Sequence, residues 1–128
     1  MNTETHQISA EDVSEIAERY YDSDDADQFY FRIWGGEDIH IGVYRATDEP
    51  VRTASERSVD VMAEHLGTVE SSAKILDIGA GYGGAARKLA QRFGCHVTCL
   101  NLSRAQNARN RECSSRMPSS VIWSCCSI

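Results

Sequence analysis

Residues Ile75 to Gly84 read Ile-Leu-Asp-Ile-Gly-Ala-Gly-Tyr-Gly-Gly, and no other stretch restricts the fold as much. A short apolar run, Ala73 to Ile78, meets a glycine-dense turn, and the turn opens a segment rich in Ala, Leu, Arg and Lys. Glycine has no Cβ and accepts φ > 0, so such a turn lets the backbone pass close to a ligand. The start of the following helix points N–H groups at the same place. Strand, turn and helix in this order predict a nucleotide-like cofactor.

Gly79, Gly81 and Gly84 satisfy the dinucleotide pattern G-x-G-x-x-G. Asp77 argues for a different ligand. It places a carboxylate two residues before the first glycine, where it would repel a pyrophosphate but suits a cationic amino group. Asp77, Gly79, Gly81 and Gly83 form Asp-x-Gly-x-Gly-x-Gly, which resembles motif I of S-adenosylmethionine (SAM) methyltransferases. The resemblance implies that the turn lies under the methionine and ribose part of SAM. The next apolar, β-branched run, His96 to Leu100, ends at Asn101. An NAD enzyme places an acid about 20 residues past the glycines, so the NAD-dependent alternative lacks its expected residue. Many SAM enzymes also use an acid there. One subgroup carries Leu-Ser-x-x-Gln instead, matched here by Leu102, Ser103 and Gln106.

The N-terminal third narrows the resemblance. Tyr20-Tyr21-Asp22-Ser23, Phe29-Tyr30 and Trp34-Gly35-Gly36-Glu37-Asp38-Ile39-His40-Ile41-Gly42 resemble the entry region of small-amine N-methyltransferases. The chain is similar to the sarcosine/dimethylglycine N-methyltransferase family over roughly residues 9 to 112, as a C-terminally truncated form. That resemblance implies SAM as cofactor and methyl transfer to a small amine such as sarcosine or dimethylglycine, in glycine betaine synthesis. It implies that Asn101, Leu102 and Gln106 meet the ribose and adenine, and that Tyr21 covers the amino-acid end near the sulfonium. It puts Trp34, Gly35, Gly36 and His40 where the substrate pocket closes. No catalytic residue is singled out. Arg45, Arg52 and Arg57 are candidate partners for a substrate carboxylate, with solvation as the plainer reading of each. The functional alternative is a non-catalytic SAM-binding remnant or interaction fragment.

The patterning predicts an α/β chain: the N-terminal half of a Rossmann-like methyltransferase fold, with a helical N-terminal region before a βαβα unit. Ser9 and Asp12 suit an approximate capping box, and Ile8 with Val13 a hydrophobic staple. Val13, Ile16, Ala17, Tyr20 and Tyr21 then give a helix over 10–21. A second helix is expected over 25–34. A third runs from Pro50 to Gly67, with Val51, Ala54, Ser55, Val59, Met62 and Leu66 as its apolar stripe. Strand 73–78, helix 83–93, strand 96–101 and helix 103–112 follow, so the sheet should be parallel. Residues 1–68 form a cap and substrate-entry region, 69–112 a partial SAM-binding domain, and 113–128 a tail unlike the family. In that tail Ser119 to Trp123 could add a strand. A two-stranded parallel sheet would leave apolar surface exposed.

Charge is uneven within a net −6: the first 28 residues carry nine acids and one base. Arg87, Lys88, Arg92, Arg104, Arg109 and Arg111 are read as the solvent faces of two surface helices, so no nucleic-acid partner is expected. The five cysteines match neither a disulfide framework nor a zinc site. Cys95 and Cys99 are read as small buried apolar residues. No metal is expected. No apolar run has the length of a membrane span, and a cytoplasmic location is the default.

Overall fold

The computed structural model describes residues 9–34, 36–117 and 123–127. Ile8, Gly35 and residues 118–122, on which expectations fell, lie outside the described residues. Helix α1 (Ala10–Tyr21) begins at the expected capping box. The Asp12 amide donates to Ser9 Oγ at 3.1 Å, and the Ser9 amide donates to Asp12 Oδ2 at 3.0 Å. The stripe expected to bury α1 remains in water, because Val13 and Ile16 are each 55% exposed.

The expected second helix is split. Helix α2 (Asp24–Gln28) passes into a π-helical turn, Phe29–Trp34. That turn carries Phe29, Tyr30 and Trp34, whose rings make edge and tilted contacts, and Phe31, whose ring meets Tyr82. Helix α3 (Val51–Leu66) starts after Pro50 and ends at Gly67 with φ +67°. Its buried side is Ala54, Ser55, Val59 and Ala63, while Met62 and Leu66 are exposed. The buried stripe thus turns toward the small residues, which let helix α4 (Gly84–Phe93) approach closely through Ala86, Leu89 and Ala90.

The sheet holds β1 (Lys74–Ile78), β2 (His96–Asn101) and β3 (Trp123–Ser127) in the order β1-β2-β3, all parallel. Ile75 pairs with Val97, Asp77 with Cys99 and Cys99 with Cys125. Those residues share one face, which α4 and α5 (Arg104–Ser114) cover. The core there is Ala63, Ala86, Leu89, Ala90, Cys95, Val97 and Cys99, so both early cysteines are buried. The other face is open, with Leu76 56% and Ile78 73% exposed. The third strand is β3, which starts where the expected strand ends.

Two arginines correct the reading of the helices as having solvated basic faces. Arg87 is buried: it donates to Glu37 Oε2 at 2.6 Å, the Tyr82 carbonyl at 2.8 Å and Asn110 Oδ1 at 2.8 Å. Arg109 is paired with Asp27 and stacks on Phe31. Both carry charge inward because a carboxylate far along the chain meets each one. Arg104, by contrast, is exposed beside Glu18.

Candidate cofactor site

The site is assembled at the carboxyl end of β1. Gly79, Gly81 and Gly83 all adopt left-handed backbone, with φ of +75°, +54° and +72°. Each glycine has a different neighbour. A Cβ at Gly83 would lie 2.2 Å from Asn110 Oδ1, and one at Gly84 would lie 2.2 Å from Asp38 Oδ1. A Cβ at Gly81 would touch Ile39 at 3.3 Å. Among the glycines of this turn, Gly79 alone has open space to 4 Å. Gly83 and Gly84 therefore serve packing, Gly81 lies under the Ile39 side chain, and Gly79 is the point where backbone meets free volume.

The turn is tied to the sheet, since the Gly79 and Ala80 amides donate to the Leu100 carbonyl at 2.8 and 3.3 Å. The N-cap of α4 is Gly83, which has no side chain to cap the helix. Asp77, at the penultimate position of β1, is half-buried. Burial raises its carboxyl above the ordinary range, and nearby His40 partly offsets this. A desolvated carboxylate beside open backbone is suited to receiving a cation.

Asn101 closes β2 and is buried, with its amide donating to Gln106 Oε1 at 2.9 Å. Ser103 caps α5 by accepting from the Gln106 amide at 3.1 Å, and its hydroxyl donates to Asp22 Oδ1 at 2.6 Å. Leu102 is half-buried between them. The backbone pairing of β1 and β2 brings this group alongside Asp77.

The N-terminal residues reach the site indirectly. Tyr21 contacts the rings of Tyr20 and Tyr30 at 5.1 and 6.1 Å, and Tyr30 contacts Trp34 at 6.4 Å. Trp34 Nε1 donates to the His40 carbonyl at 3.3 Å, which Ser55 also holds at 2.7 Å. The series runs from Tyr21 to His40 beside Asp77. The Tyr30 phenol is pushed up to about 12, first by its hydrogen bond with Tyr20 and then by burial, so it stays protonated at neutral pH. Of the three arginines read as carboxylate partners, Arg52 and Arg57 have side chains engaged elsewhere, and Arg45 is held through its backbone. Arg57 binds Glu49 and the Val43 carbonyl, Arg52 pairs with Glu56, and the Arg45 amide donates to Glu49.

Asp27 and Tyr82 carry no functional expectation from the sequence, and Arg109 is expected to be solvated, yet the three meet beneath the turn. Tyr82 is inside the glycine motif, so its position was a signal, but nothing in the sequence names its partner.

The sequence matches the mycolic acid cyclopropane synthetase family over residues 7–120. It is 57% identical over 96 residues to a glycine/sarcosine/dimethylglycine N-methyltransferase of Actinopolyspora halophila, covering 75% of this chain and 17% of that protein. It is 50% identical over 103 residues to a sarcosine/dimethylglycine N-methyltransferase of Aphanothece halophytica, covering 80% and 37%. A candidate sarcosine dimethylglycine methyltransferase from Galdieria sulphuraria superposes with a TM-score of 0.74 at 43% identity, covering 85% of this chain and 42% of that one. The chain spans less than half the length of each of these relatives.

Proposed function

The chain belongs to the mycolic acid cyclopropane synthetase family, and from that premise we propose that it is the cofactor-binding part of a SAM-dependent N-methyltransferase acting on a small amine. Sarcosine and dimethylglycine are the substrates this reading favours, with glycine betaine as the fully methylated product. The observation that carries it is the open backbone at Gly79 beside the desolvated Asp77 carboxylate. A pyrophosphate would be repelled there, whereas the α-amino group of SAM is cationic.

Residues 69–112 serve as the cofactor-binding segment, 1–68 as its cap, and 113–128 as a tail that contributes β3. Asp77 holds the amino group, Gly79 leaves room for the ligand, Gly81 and Gly83 shape the turn beside it, and Asn101, Leu102 and Gln106 face the ribose and adenine. When bound, SAM supplies an electrophilic methyl on a sulfonium. Tyr21, Tyr30 and Trp34 present ring faces that favour cationic methylammonium groups. Trp34 and His40 border the amine's position, and alignment is the main contribution of the protein. The amine must lose its proton to react, and a desolvated site lowers its basicity.

The open sheet face favours a second reading, a SAM-binding remnant or interaction fragment without turnover. Calorimetric titration with SAM, paired with a transfer assay on sarcosine, separates the two. Wild type is expected to bind and Asp77→Ala to lose about 10-fold or more, the worth of a hydrogen bond between charged groups. Unchanged affinity in the variant overturns the site.

A further inference from the structure

Tyr82 is the one large side chain in the glycine turn, and it points away from the open space at Gly79 into the protein. It is fully buried between Gly81 and Gly83, both left-handed. Its hydroxyl donates to Asp27 Oδ1 at 3.0 Å and approaches the Asp27 carbonyl at 3.3 Å. Asp27 also accepts from Arg109 Nε at 2.9 Å and from the Arg109 guanidinium Nη2. The Arg109 guanidinium lies 4.2 Å from the centre of the Phe31 ring, which meets Tyr82 edge-on at 5.7 Å. Burial holds the Tyr82 phenol well above its ordinary value, and Arg109 holds the Asp27 carboxyl below its own. Donor and acceptor therefore keep their roles across the neutral range.

This cluster joins three separate parts of the molecule. Asp27 is in α2, which runs directly into the π-helical turn bearing Tyr30 and Trp34. Arg109 is on α5, and Tyr82 is in the turn. Trp34 makes the second link, through the His40 carbonyl. The aromatic cap is thus fastened to the cofactor turn through Asp27 and to the segment before α3 through Trp34. The backbone bonds to Leu100 hold the start of the turn, and Tyr82 is its side-chain link to α2 and α5.

We propose that Tyr82, acting through Asp27 and Arg109, is a positioning residue that couples occupancy of the glycine turn to ordering of the cap formed by Tyr21, Tyr30 and Trp34. The coupling rests on the SAM reading above. It works in both directions: a ligand that fixes the turn stabilises the cap, and loss of the cap weakens the ligand.

The test uses the full chain. Tyr82→Phe keeps the ring against Phe31 and removes only the hydroxyl, and Asp27→Asn removes the charge. SAM affinity is measured by calorimetry, and amide hydrogen exchange is followed over residues 10–34 with and without SAM. Each variant is expected to lose about 5- to 50-fold in affinity. SAM is expected to protect the 24–34 amides in wild type but not in Tyr82→Phe. The double variant should be no worse than the poorer single one, because both changes break the same link. Wild-type affinity and protection in Tyr82→Phe overturn the proposal, as do additive losses in the double variant. If wild type itself does not bind SAM, the cofactor reading falls and the coupling falls with it.

Discussion

Individual glycines in the turn have separable roles, and substitution distinguishes them. Gly83→Ala puts a Cβ into left-handed backbone, worth about 1–2 kcal/mol, and drives it into Asn110, which holds Arg87. Gly79→Ala has the same backbone strain but meets nothing within 4 Å. In urea unfolding Gly83→Ala should lose the greater stability. Gly79→Ala should lose only the strain, yet impair SAM binding beyond what that loss explains. Equal unfolding midpoints would contradict the packing role of Gly83. Asp77 carries the opposite balance. Its folded carboxyl titrates above the ordinary range because it is desolvated, so the folded state binds more protons there and stability falls as pH rises through that region. Asp77→Asn removes this penalty, and its melting midpoint at pH 7 should equal or exceed wild type while SAM binding drops. A clear fall in the midpoint would show that the carboxylate stabilises the fold. The glycines and Asp77 were legible because a glycine turn states its own geometry. Arg87 and Arg109 were not, because their carboxylates lie 50 and 82 residues away in sequence.

Elements were readable where local chemistry fixes them and unreadable where tertiary contacts do. The capping box of α1, the Gly67 stop of α3 and the β-branched run of β2 appear as expected. The π-helical turn does not announce itself, because its crowded aromatics read equally well as ordinary helix. Helix α5 departs further, since its buried side is Gln106, Asn107, Asn110, Cys113 and Ser114. An apolar periodicity search misses a polar buried face, which is stable only through internal hydrogen bonds such as Asn107 Nδ2 to the Asn101 carbonyl at 3.0 Å. An ion pair helps to fasten the segment before α3. Glu49 meets Arg57, which also donates to the Val43 carbonyl. That arginine, with the Arg45 amide, pulls the Glu49 carboxyl from its ordinary 4.5 to about 2. A depressed carboxyl stabilises the fold above its unfolded value and stops doing so as pH falls through the folded one. The clamp should therefore hold above about pH 4.5 and fade between there and about pH 2. Glu49→Gln should flatten the acid limb of stability against pH in that window. An unchanged acid limb would show that the pair contributes nothing measurable.

At the scale of the molecule, the balance between covered and uncovered sheet decides behaviour in solution. Parallel sheets are ordinarily covered on both faces. Here α4 and α5 cover one, while Leu76 and Ile78 stand exposed on the other. The strand order leaves β1 at an edge, where its outer backbone groups can pair with another strand. The core that opposes this is small, built from alanines, cysteines and a few larger aliphatic residues. The expectation of exposed apolar sheet was thus correct, although a third strand joins the two that the sequence indicated. Two copies meeting through this face would bury about four large aliphatic side chains, each worth about 1.5–3 kcal/mol. The sum, about 6–12 kcal/mol, is comparable to the roughly 4–15 kcal/mol lost on association. Self-association should therefore be weak and dependent on concentration. Light scattering across a concentration series should show mass rising above 14.2 kDa. Leu76→Thr with Ile78→Thr puts β-branched residues, which suit a strand, at both positions while removing the apolar contact, and should restore a monomer. Because both side chains already face water, the substitution should leave the unfolding midpoint nearly unchanged. A wild-type chain that stays monomeric at high concentration and melts in one sharp transition would show that the open face is no liability. The small core would then be sufficient to hold the sheet by itself.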